Sequence, residues 1–182
     1  SMSFVPMGGN AYHPDPGLMV DNPNVYISMG HTAERVAQQY HVTRDMQDEF
    51  SAQSHHKAEK AISEGRFNDE IIPVETVQSN IDDNGNPSTI KTIFKMDEGV
   101  RKNMTKEALA KLNPVFKAGG TVTAGNASQM SDGAAFVLIM SKEKADELGI
   151  KPVARFIGFS VAGVAPEVMG IGPIEAIPKV LK

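Results

Sequence analysis

Apolar and polar positions alternate along the chain with clear changes of period. From Thr32 the spacing of Ala33, Val36, Ala37 and Tyr40 is helical. Thr43 then offers a cap for a longer helix through Met46, Phe50, Ala58, Ala61 and Ile62, which Gly65 would end. The segment EIIPVETV at 70–77 predicts a short strand, pushed toward a sheet edge because Pro73 cannot donate to a ladder, and DDNGNPS at 82–88 predicts a turn. A helix from about Thr105 to Leu112 stops before Pro114. Ser141 caps a further short helix ended by Gly149, PVARFIGFSVAGVA has strand character, and GPIEAIPKVLK begins a last helix. Residues 1–27 are rich in Pro, Gly and Asn and read as an extended loop. No solenoid-type repeat is visible.

The stretch GTVTAGNASQMSDGAAFVLIMS at 120–141 changes texture abruptly. Ala124, Gly125, Ala127 and Ser128 are small, so the backbone around Asn126 can approach a ligand closely, and Gly125 can take a positive φ. A continuous apolar run from Ala134 to Met140 follows, the pattern of a helix end or of a strand buried on both faces. A polar, glycine-containing loop feeding a core element is a common way to build a ligand site in α/β proteins. The alternative is a helix N-terminus in which Asn126, Ser128 or Ser131 caps free amides.

Composition narrows the function classes. With 182 residues, 41% of them apolar, the chain can supply a core for one domain or for parts of two. No apolar run approaches a membrane span, and SMSFVPMGGN lacks the order of a signal peptide, so a soluble cytoplasmic protein is expected, with no membrane partner. The absence of cysteine excludes disulfides, thiolate metal sites and a cysteine nucleophile within this chain. A net charge of -4 argues against a general nucleic-acid binder. Locally the balance reverses: Arg101, Lys102, Lys106, Lys111 and Lys117 face the single acid Glu107.

Most short motifs carry no chemistry. His55 and His56 lie on a helix without HExxH spacing, so they read as part of a solvated face, and no metal is expected. Asp82, Asn84 and Asn86 alternate like calcium ligands, but Gly85 is misplaced and the loop's final Glu is missing, so turn chemistry explains them. Ser128 is in no nucleophile elbow, and VMGIGP makes no dinucleotide fingerprint.

Four segments in order carry a specific resemblance: MGHTAERVAQQY at 29–40, TRDMQDEFSAQSHHKAEKAISEGRFNDEIIPV at 43–74, LNPVFKAGGTVTAGNASQMSDGAAFVLIMS, and VMGIGPIEAIPKVL. Together they resemble the thiolase family of acyl-CoA acyltransferases over nearly the whole chain. The resemblance implies an α/β, thiolase-like fold, incomplete here: a loop domain plus parts of the two βαβ-rich halves. It places residues 1–118 mostly in the loop domain that covers coenzyme A, 119–150 at the end of the N-terminal half, and 151–182 at the start of the C-terminal half. It also implies a reason for the missing cysteine. In the family the nucleophilic Cys precedes the segment matching Ser1, and the Asn-Glu-Ala-Phe motif, the Gly-His-Pro histidine and the second catalytic Cys follow the segment matching Lys182.

The implied activity is that of a parent enzyme that thiolyses a 3-ketoacyl-CoA or condenses acyl-CoA units through an acyl-cysteine. No catalytic residue carries over, so this chain alone is expected to be inactive; what carries over is binding of coenzyme A or acyl-CoA as substrate. Met29 matches a residue lining the pantetheine and acyl channel, Arg101 an arginine against the adenine end, and Phe116 an aromatic beside the pantetheine. Ala124, Ala127 and Ser128 match small residues along which pantetheine runs, and Met169 a Met near the reacting groups. Ser28 stands where biosynthetic members often have His, and Gln129 where Gly is common. The basic segment 101–117 is where this acidic chain could meet the cofactor's phosphates. Strands split between two half-domains would lack sheet partners and expose apolar edges along 135–140 and 154–164, so the missing segments or a homo-oligomer partner are expected. A short coenzyme A-binding protein without catalysis, and a structural remnant, are the alternative readings.

Overall fold

A computed structural model describes residues 9–182, so the reading of the first eight residues lies outside the described part. The described residues divide into two compact units, one built from residues up to Thr43 and from Pro114 to Lys182, and one from the contiguous stretch 44–113.

The contiguous unit contains helix α3 (Arg44–Ser63), strands β1 (Val74–Ile81) and β2 (Pro87–Phe94), and a short helix α4 (Lys106–Ala110). Helix α3 begins one residue after Thr43, and Gly65, at φ +70°, ends the helical path as its lack of a Cβ allows. Arg44 ties α3 to α4. Its Nε donates to Asp48 Oδ2 at 2.7 Å, and its guanidinium also donates to the carbonyls of Leu109 (2.7 Å) and Leu112 (3.0 Å), closing the free end of α4. Asp48 and Leu109 are both buried beneath this arrangement. At the other end of α4 the Thr105 hydroxyl accepts from Ala108 N–H.

Strands β1 and β2 pair antiparallel in the register Val74 with Phe94 through Ile81 with Pro87. The strand begins after Pro73, and Pro87 stands at the end of its partner, where no ladder donor is lost. The turn between them is built on Asp82, whose Oδ1 accepts from Asn84 N–H (2.9 Å) and Asn86 N–H (2.8 Å), with Gly85 at φ +82°.

The other unit opens with helices where an extended loop was expected. Asp15 caps α1 (Pro16–Asp21) by accepting from Leu18 N–H, and a 3₁₀ turn spans Pro23–Tyr26. Both begin with proline, whose fixed φ suits a first helical position. Helix α2 (Met29–Gln39) buries Thr32 and Ala37 and packs on a second 3₁₀ turn, Pro166–Ile171. Ser141 caps α5 (Lys142–Glu147) and Gly149 follows at φ +64°, as the sequence predicts; α6 (Gly172–Val180) closes the chain.

The apolar stretches 134–140 and 152–165 are neither helical nor paired, which corrects the expectation of a helix end or buried strand in the first and of a strand in the second. A strand exists through its ladder, and the only sheet among the described residues is the β1–β2 hairpin. The side chains stand in the open: Phe136 is 97% exposed and Val153 fully so. Among the described residues no helix is long and apolar enough to cross a membrane.

Candidate functional site

The residues around Phe116 and Asn126 form one hydrogen-bonded turn set against α2. Val115 N–H donates to Val122 C=O at 3.0 Å, and Pro114 bridges Thr123 in antiparallel fashion. Asn126 ties the far side: its Oδ1 accepts from Thr123 N–H at 2.7 Å, and its Nδ2 donates to Thr121 C=O at 3.0 Å. The Thr123 hydroxyl, fully buried, accepts from Gly125 N–H. Asn126 therefore braces a turn and caps no helix, so the capping alternative falls.

Glu34 of α2 joins this turn to the helix. Its buried carboxylate accepts from Thr121 N–H (2.8 and 3.0 Å to its two oxygens), from the Thr121 hydroxyl (3.1 Å) and from Val122 N–H (2.8 Å). Gly120 leaves the space: a Cβ there would lie closer than 3.0 Å to Glu34 Oε1. One turn earlier on the helix, a Cβ on Gly30 would lie closer than 3.0 Å to the Phe116 ring. The ring also meets His31 edge-on, with centroids 6.3 Å apart. His31 Nδ1 is 2.7 Å from the hydroxyl of Ser28.

Six of the seven expected cofactor-binding residues fall within this unit. Met29 starts α2, Phe116 lies over Gly30, Ala124, Ala127 and Ser128 follow the braced turn, and Met169 sits on the 3₁₀ turn that packs on α2. All six are exposed. Among the described residues the Ser128 hydroxyl makes only a long contact, 3.4 Å, to the carbonyl of Gln129.

Arg101 belongs to the other unit. Its N–H donates to His55 Nδ1 at 3.2 Å, and Asn103 N–H donates to Glu59. The histidine thus serves as a backbone acceptor, a role that sequence spacing did not suggest. Among the described residues the Arg101 guanidinium has no ion-pair partner. Lys106 does: its ammonium lies 2.7 Å from Asp45 and 3.9 Å from Glu49. Its pKa is raised, first by the hydrogen bond to Asp45 and then by the surrounding carboxylates. Of the basic segment, Lys106 is therefore already matched.

A cavity of about 720 Å³ opens between the N-terminal helices and α2, lined among others by Tyr12, Tyr26, Ser28, His31, Glu34 and Lys117. None of the seven expected residues lines it. Among the described residues no group of three or more His, Cys, Asp or Glu could hold a metal ion.

The sequence and the architecture match proteins of one family. The model of the thiolase N-terminal domain matches residues 14–143, well over half of the chain, and the chain belongs to the thiolase family. It is 52% identical over its whole length to a 3-ketoacyl-CoA thiolase of Bacillus subtilis, spanning 46% of that protein. It is 50% identical over 85% of its length to an acetyl-CoA acetyltransferase of Allochromatium vinosum, spanning 37% of it. Its fold overlies the dimeric peroxisomal thiolase of Saccharomyces cerevisiae with a TM-score of 0.83 at 41% identity, covering all of this chain and 44% of the yeast one. The chain thus spans less than half the length of these relatives and holds an incomplete thiolase-like fold.

Proposed function

We propose that this chain supplies the coenzyme A-binding wall of a thiolase-type acyltransferase that thiolyses 3-ketoacyl-CoA or condenses acyl-CoA units through an acyl-cysteine. The relatives' names support acyl-CoA as substrate: one acts on 3-ketoacyl-CoA and another on acetyl-CoA. The nucleophilic cysteine comes from outside this sequence, which contains none. In this reading residues 1–118 mostly cover the cofactor, 119–150 end the first half of the enzyme and 151–182 begin the second. The protein works in the cytoplasm, and either the missing thiolase segments or a second copy completes its sheets.

The observation that carries the reading is that Met29, Phe116, Ala124, Ala127 and Ser128 are all exposed within one compact unit. They offer an accessible aromatic ring, small side chains and a hydroxyl. A pantetheine arm needs such a surface: an apolar wall for its methylenes, room for close backbone approach, and a polar atom to fix its amides. Arg101 is proposed by the family resemblance alone; its guanidinium, without an ion-pair partner among the described residues, can both stack on a purine and bond phosphate. Isothermal titration of coenzyme A into the protein tests this. Saturable binding is expected, weakened about tenfold, or about 1.4 kcal/mol, by Arg101→Ala; a folded protein that takes up no heat from coenzyme A overturns the reading.

A further inference from the structure

We infer that Glu34 is the positioning residue that sets the cofactor wall against α2, an inference that rests on the coenzyme A reading. A carboxylate this deeply buried has to be compensated, and here the compensation comes from neutral donors of one turn: two successive backbone amides, Thr121 and Val122, and the Thr121 hydroxyl. No salt bridge to Glu34 is present among the described residues, so the anion is held by a concave arc of N–H and O–H dipoles. A side chain at Gly120 would crowd both the carboxylate and the Lys117 carbonyl, so one of them would have to shift.

The position of this clamp gives it its reach. Thr121 and Val122 lie between the two parts of the wall. Upstream, Val122 C=O receives Val115 N–H, so fixing Val122 fixes the residue before Phe116. Downstream, Thr121 C=O and Thr123 N–H are both taken by Asn126, which sets the path of Ala124 through Ala127. Glu34 itself sits one helical turn from Gly30, the residue on which Phe116 lies, and on the same helix as Met29. A single carboxylate therefore registers the aromatic face, the small-residue run and the start of α2 to one another. It touches no reacting atom and acts through the turn.

The test uses the full-length protein in which this sequence occurs. Glu34→Gln keeps the shape but turns an NH₂ group toward donors. Amide hydrogen exchange is expected to quicken at least tenfold across 121–127 while α5 stays as protected as before, and the coenzyme A Kd is expected to rise tenfold or more. Thr121→Val, which removes one donor and spares both amides, is expected to change both readouts only about twofold. It carries the same comparison in milder form if Glu34→Gln does not fold. Unchanged exchange at 121–127 overturns the inference; so does quickened exchange with unaltered coenzyme A affinity, which would make the clamp purely structural. If the unsubstituted protein binds no coenzyme A while the exchange behaves as expected, the functional reading fails and the clamp on the turn stands.

Discussion

Gly30 lacks a side chain where the Phe116 ring needs the room, and the two are best understood as one feature. Gly30→Ala should push the ring off α2, with an overpacking cost of about 1–3 kcal/mol. It should also weaken coenzyme A binding together with stability, and a thermal melt paired with titration calorimetry checks both. The small side chains of the turn were legible in the sequence because smallness is a property of single residues. Glu34 was not. Its role depends on donors 87 and 88 residues away, and one glutamate on a helix reads locally as a solvated charge. Lys106 erred in the opposite direction: its charge was visible, but the carboxylate of Asp45 that occupies it was not assignable from spacing.

The β1–β2 hairpin shows what an element draws from one residue. Asp82 has its carboxyl held below its ordinary value of 3.8, chiefly by the Asn86 N–H, which outweighs the opposing effect of desolvation with further help from the Asn84 N–H. A lowered folded-state pKa means that the ionised form favours the folded turn. The contribution is therefore complete above pH 3.8 and is lost as pH falls through the lower folded value. Amide shifts of Asn84 and Asn86 should report this loosening in acid. Asp82→Asn, which still offers Oδ1 as acceptor, should keep the turn and flatten the titration. Helices and turns with strong end signals were readable in advance: Ser141 and Gly149 around α5, Thr105 before α4, Gly65 after α3. Strand β2 and the 3₁₀ turn at Pro166–Ile171 were not foreseen. β2 has no strong alternation of apolar residues, and the turn's Pro, Val and Gly give no periodic signal. Helix α1 was hidden by a Pro-Gly composition that looks like loop until Asp15 is seen to cap it.

Taken as a whole, the molecule carries two apolar stretches, 134–140 and 152–165, whose composition suits the interior of a sheet and whose surroundings supply none. Their backbone amides should exchange rapidly in the isolated 182-residue chain, and the chain should self-associate, because unpaired edges with Phe136, Ile139, Phe156 and Phe159 in the open recruit partners. Strong protection of 135–140 in a monomer, measured by hydrogen exchange alongside light scattering, would contradict this. The family was legible from the sequence because its motifs are local. The state of these stretches was not, since a run of Ala-Phe-Val-Leu-Ile states only that it wants burial. The division of the chain has a separate consequence for the order of folding. Glu34 must find Thr121 across an intervening body, residues 44–113, that closes on its own contacts. Each doubling of a flexible loop adds about 0.6 kcal/mol to the entropy of closing it. An inserted body that collapses early therefore shortens the path, turning a remote encounter between α2 and its turn into a near-neighbour one.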